Sequence, residues 1–235
     1  MKAKLFSATV CLLTIFMVTA ACGFPPAAVK DDLQIQAQRL LQEDSGDLKQ
    51  LMQGHDFKAI VVLPLIFFFA DVTGDGIPEL FWGHFDTSIT NSAWFHGYSL
   101  SEHRPMQAIH SGEAWSGVPC GETEEEESAV LFFVNGDQTS LPLGQTAYLE
   151  QDGTRCYYAY CTIGLAHQYR VVHKMWFEEG RCRVESFYHD EKDPPFFTGE
   201  GEPFPTTSTR ELEWDHMEEL LISSLEEYFA GTASA

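Results

Sequence analysis

Two runs rich in β-branched and aromatic residues, Val61 to Phe69 and Leu80 to Phe85, flank a short segment that no helix accommodates, Asp71-Val-Thr-Gly-Asp-Gly-Ile-Pro-Glu79. Pro64 and Pro78 oppose a continuous helix, so the predicted unit is strand-loop-strand. Within the loop, oxygen donors recur at alternate positions: the side chains of Asp71, Thr73 and Asp75, the main-chain carbonyl of Ile77 and the carboxylate of Glu79. Alternate residues of a tightly wound loop point to one centre, and Gly76 can take the positive φ that such winding needs. An all-oxygen set suits a hard cation, calcium above all. Thr73 brings a neutral hydroxyl where an acid or amide is usual, leaving Asp71, Asp75 and Glu79 as the charged donors. The expected dissociation constant is therefore that of extracellular modules, on the order of 10⁻⁴ to 10⁻³ M. Ile77 and Leu80 are expected to anchor the loop in the core.

The N-terminus has the layout of a secretory signal: Lys2 and Lys4, then an apolar run from Leu5 to Ala21. It closes with Val18-Thr-Ala-Ala-Cys22, which resembles the bacterial lipobox. The resemblance implies lipidation of Cys22 and a mature chain anchored on the outer side of the cell membrane. Thr19 stands where leucine is usual, so cleavage after Ala20, giving a soluble secreted protein, is the alternative. Residues 1–21 are then the signal, 22–30 a tether, and 31–235 one α+β domain carrying the loop at 71–79. Losing Lys2 and Lys4 makes a formal charge of −21 more negative still, which excludes nucleic acid as a partner. An anionic membrane surface would repel the domain, leaving the N-terminal lipid as its link to the bilayer. A hydrophobic fraction of 44% excludes wholesale disorder.

Helices are expected at both ends of the domain and antiparallel strands between them. Asp31 or Asp32 caps a helix to about Leu41 with Leu33, Ile35, Leu40 and Leu41 as its stripe, and a second helical stretch follows from Ser45 to Met52. From Ala59 to Tyr188 the pattern is a meander punctuated by Asn135-Gly136, Asp152-Gly153 and Glu179-Gly180. Arg181, Arg183 and Glu185 alternate with Cys182, Val184 and Ser186, so one face of that strand is solvated. Asp193 to Pro205 and the charge run Glu122 to Glu127 read as surface loops. Ser208-Thr-Arg-Glu211 matches a capping box before a helix whose stripe is Trp214, Met217, Leu221, Leu225 and Tyr228, ending at Gly231.

Cys120, Cys156, Cys161 and Cys182 permit two disulfides, and a bridge from Cys156 or Cys161 across a hairpin to Cys182 is the favoured pairing, with reduced core cysteines the alternative. The histidines carry no HExxH arrangement, and His96, His103 and His110 read as ordinary polar or half-buried residues. Ser116 lacks the glycine two places before it that a nucleophile elbow requires. No catalytic residue is assigned.

Phe67-Phe-Phe-Ala-Asp-Val-Thr-Gly-Asp-Gly-Ile-Pro-Glu-Leu-Phe-Trp82 resembles the Asp-x-Asn-Gly-Asp-Gly-x-Pro-Glu-Leu stretch of FG-GAP-like and EF-hand-like calcium loops. It is similar to those carried singly by small secreted lipoproteins of Gram-positive bacteria. The twelfth position, where an EF-hand has a glutamate opening a second helix, holds Trp82, in keeping with strand-loop-strand. The resemblance implies calcium ligation by Asp71, Thr73, Asp75, Ile77 and Glu79, on a one-sheet domain. The leading expectation is a non-enzymatic surface module whose partner is an unknown extracellular protein or glycan. The competing expectation is an extracellular hydrolase of glycans or peptides with calcium as its scaffold, which would need two carboxyl groups facing each other across a cleft.

Overall fold

A computed structural model describes residues 27–54, 65–86, 92–111, 126–135, 145–149, 154–163, 169–178, 181–189, 202–203 and 206–231. Helix α1, Ala27–Gly54, comes first. The strands follow as β1 Leu65–Ala70, β2 Glu79–Asp86, β3 Ser92–Ser99, β4 Arg104–Pro105, β5 Ala108–Ser111, β6 Glu126–Ser128 and β7 Phe132–Asn135. Then come β8 Gln145–Leu149, β9 Arg155–Ile163, β10 Tyr169–Glu178, β11 Arg181–His189, β12 Glu202–Pro203 and β13 Arg210–Leu212. A 3₁₀ turn, Trp214–His216, leads into α2, Met217–Gly231. The class is α+β, with most strand pairs antiparallel.

The strands form two sheets rather than the expected one. Sheet A has the order β13-β1-β2-β3-β4, with β7 also paired to β3, and sheet B has the order β12-β8-β9-β10-β11-β5-β6. The reason lies in β1, whose every residue is buried. Ile66, Phe68 and Ala70 face sheet B, while Leu65, Phe67 and Phe69 face the helices. A continuous apolar run with both faces covered is the signature of a strand in a middle layer. Phe68 and Phe81 stack at 4.9 Å, and Tyr157 of β9 stacks on them at 5.4 and 5.9 Å, joining the sheets. Truncating such a ring to alanine costs about 3–5 kcal/mol. Gly83 and Gly97 admit this packing: a β-carbon on Gly97 would stand 2.6 Å from Met106 Sδ.

Three local expectations give way to tertiary demands. Helix α1 is unbroken and starts at Ala27, inside the expected tether, because Ala37, Leu40, Leu41, Leu48 and Met52 bury one continuous face. That burial outweighs the ~1 kcal/mol cost of glycine within a helix, here Gly46. Ile35 leaves the expected stripe at 64% exposure, since it lies roughly 200° around the helix from buried Ala37. The capping-box segment extends instead of capping: Arg210, Glu211 and Leu212 pair with Phe67, Ile66 and Leu65 of β1. Thr207 continues this edge, its N–H donating to Phe69 O at 2.9 Å and its Oγ1 accepting from Phe69 N at 2.8 Å. The open edge of a buried strand must be paired, and that requirement wins over a local cap.

The later helix stripe holds: Met217, Leu221, Leu225 and Tyr228 are buried against sheet A and α1, Trp214 is partly buried, and the helix ends at Gly231. On β11, Cys182, Val184 and Ser186 are buried, Arg181 and Glu185 are exposed, and Arg183 is intermediate. Glu202–Pro203 pairs with β8, and Glu126–Ser128 pairs with β5, so parts of two expected loops are strand. The hairpin predicted around Glu179-Gly180 is present as β10–β11, although those two residues, like Gly136, Asp152 and Gly153, lie outside the described residues. Asn135 ends a strand of sheet A while β8 belongs to sheet B, so no hairpin joins them.

Candidate functional site

The loop at 71–78 closes the β1–β2 hairpin, in which Ala70 stands opposite Glu79. Strand-loop-strand is therefore its setting. Gly74 and Gly76 have φ of +80° and +89°, the left-handed region that favours glycine. Asp71 organises the turn: its Oδ1 accepts the Gly74 N–H at 2.7 Å and its Oδ2 accepts the Gly76 N–H at 3.2 Å. Glu79 closes it from the other end, Oε2 accepting the Val72 N–H at 2.9 Å and Oε1 accepting the Thr73 hydroxyl at 2.9 Å. The same hydroxyl lies 3.5 Å from Asp71 Oδ1, so Thr73 stands between the two carboxylates. Its neutrality suits that position, since a third acid would add like charge.

Asp71 and Glu79 are 3% and 0% exposed, and Ile77 and Leu80 are buried as expected. Asp75 stands on the exposed rim, where its Oδ1 accepts the Ile77 N–H at 2.8 Å. Desolvation, followed by the charges of Asp71 and Asp75, pushes the Glu79 carboxyl well above the usual range. The Asp71 carboxyl is raised by desolvation, with Arg155 opposing. Among the described residues Arg155 is the one cation ion-paired with either carboxylate, 3.3 Å from Asp71 Oδ2. Burial, followed by the charge of Asp71, raises the Tyr228 hydroxyl of α2.

The structure thus brings together Asp71, Thr73 and Glu79 and leaves Asp75 apart. Among the described residues no three His, Cys, Asp or Glu side chains are grouped as a metal cage. The donor chemistry fits calcium nonetheless: all side-chain donors are oxygens, and the Asp71 and Glu79 carboxylates are buried side by side. Arg155 is the residue that sequence reading missed. It lies far along the chain from the loop, and only the meeting of β9 with the β1–β2 hairpin brings the two together.

The other predicted residues resolve as follows. Cys22 and Cys120 lie outside the described residues, as do Ser116 and Glu122 to Glu125. Cys182 is a buried free thiol, and its expected bridges are ruled out by register. Cys156 stands opposite Trp176 and Cys182 opposite Phe177, so Cys156 and Cys182 occupy opposite faces of sheet B. Cys161 pairs with Val171, whose β11 partner is Tyr188, about 20 Å along the strand from Cys182. His96 Nδ1 donates to Ala129 O at 3.0 Å and His110 Nε2 to Val130 O at 2.7 Å. Buried histidines of the two sheets thus hold successive carbonyls of the segment crossing between β6 and β7. His103 instead pairs with Asp44 of α1 at 3.0 Å.

A cavity of about 360 Å³ opens between β4 and the β10–β11 hairpin, and among the described residues Glu102 is the one carboxylate lining it. No helix among the described residues is long and apolar enough to cross a membrane. No protein family matches the chain, and no curated protein or solved structure shows significant similarity to it.

Proposed function

We propose that the chain is a non-enzymatic, lipid-anchored extracytoplasmic module in which one calcium ion at the 71–79 loop rigidifies the strand-loop-strand unit. The observation that carries this reading is Glu79: a fully buried carboxylate beside a second buried carboxylate, with no ion-pair partner among the described residues. Buried charges are costly unless paired or metal-bound, and a divalent cation would supply the missing positive charge. Asp71, Thr73, Asp75, Glu79 and the Ile77 carbonyl are the donors it would use. The role is structural, because every donor comes from one short segment and no cleft with facing carboxylates adjoins it among the described residues. The sheet surfaces and loops are left to contact an extracellular protein or glycan.

The test is a thermal melt with EDTA and across calcium concentrations up to several millimolar. A hundredfold excess over the dissociation constant stabilises by about 2.7 kcal/mol. Asp75→Ala should remove the calcium-dependent rise while sparing the fold, because Asp75 is exposed. An unchanged rise in that variant would place the ion elsewhere, and no rise in the wild type would reduce the loop to an acidic turn.

A further inference from the structure

Arg155 opens β9 on sheet B, yet its guanidinium is committed to the loop of sheet A. Its Nη1 donates to the main-chain oxygen of Asp71 at 3.0 Å and lies 3.3 Å from Asp71 Oδ2. A β-carbon on Gly74 would stand 3.1 Å from Arg155 Nε, so the glycine leaves the space that the arginine occupies. The Arg155 side chain is 28% exposed and that of Asp71 4%, so water screens the pair only in part. The guanidinium does not lose its proton at any pH a protein survives, which makes its charge permanent.

We infer that Arg155 is a built-in counter-cation that sets the calcium affinity of the loop and couples its occupancy to sheet B. This rests on the calcium reading above. A divalent ion held by Asp71 must share that carboxylate with the guanidinium and sit within a few ångströms of a fixed positive charge. Both effects weaken binding, and both vanish when the charge is removed. Arg155 is therefore an affinity-setting residue without being a ligand. Because the same side chain bridges the two sheets, an ion that draws Asp71 away from it loosens that bridge.

The experiment measures apparent calcium dissociation constants from melting temperature across a calcium series, for wild type, Arg155→Gln and Arg155→Lys. Arg155→Gln is expected to bind at least tenfold more tightly despite a lower melting temperature in EDTA, and Arg155→Lys to stay within threefold of wild type. Calcium stabilisation of Arg155→Gln alone, with none of the wild type, leaves the native loop without its ion and overturns both readings. If the wild type responds and Arg155→Gln binds equally or more weakly, Arg155 is a brace and this inference fails while the calcium reading stands. If neither responds, both fall. Should Arg155→Gln not fold, the Arg155 Nε–H resonance of the wild type decides: it must shift with calcium at the midpoint seen for the loop amides, and a static resonance overturns the inference.

Discussion

Gly76→Ala perturbs the loop where its backbone and its neighbour are both constrained. Gly76 has φ +89°, and a β-carbon there would lie 2.9 Å from Leu33 Cδ1 of α1. Holding an L-residue in the left-handed region costs about 1–2 kcal/mol. Leu33 is only partly buried, and pushing its flexible end aside adds about 0.5–1.5 kcal/mol of off-rotamer strain. Alanine also narrows the unfolded ensemble, which returns about 0.4–1 kcal/mol. The net loss is about 2 kcal/mol, or about 4–8 °C in melting temperature for a domain of this size. Urea denaturation in EDTA measures it without contribution from an ion. Gly46→Ala is the internal control: that glycine is helical, has nothing within 4 Å of its would-be β-carbon, and should gain roughly 0.5–1 kcal/mol. In a Leu33→Ala background the steric part disappears, so Gly76→Ala should then cost closer to 1 kcal/mol. A Gly76→Ala variant as stable as wild type would refute the wound loop and its contact with α1.

Stability should fall as pH drops from about 6.5 to about 4, because burial lowers the pKa of His110 from 6.5 to about 4. In that window the unfolded chain binds a proton at this site that the folded chain does not, a loss of on the order of 3 kcal/mol that His110→Gln should remove from the urea-midpoint profile. His103 works in the opposite sense: its hydrogen bond to Asp44, then the charge of Asp44, raises its pKa above 6.5. Its contribution is full below pH 6.5 and fades as pH rises through the folded value, and Asp44→Asn should return the imidazole NMR titration to its ordinary midpoint. Cys22→Ser should release the protein from bacterial membranes into the soluble fraction; persistent membrane association would discredit lipidation at this cysteine.

The strand-loop-strand unit was legible in the sequence because its information is local. β-Branched and aromatic residues, the spacing of oxygens and a glycine in a wound loop act within a few residues of one another. The stripe from Met217 to Tyr228 was legible for the same reason, since helical periodicity shows which side must be buried. Local signals misled wherever a remote surface set the stronger demand. The sequence read as two helical stretches, one to about Leu41 and one from Ser45, but the face of α1 buried on sheet A carries a single helix through the interval. Ser208 to Glu211 read as a cap, but the unpaired edge of β1 recruits Arg210 to Leu212 as a strand. The cysteine spacing allowed a bridge that only strand register could exclude.

By itself, then, the sequence determined the strand-loop-strand unit, the alternation of oxygen donors through the 71–79 loop, and the buried stripe of the last helix. Tertiary structure alone decided that the strands divide into two sheets, that Glu79 is buried between them, and that Arg155 meets Asp71. Burial, electrostatic pairing and edge satisfaction depend on which distant surfaces meet, and these contacts have no short-range signature in the chain.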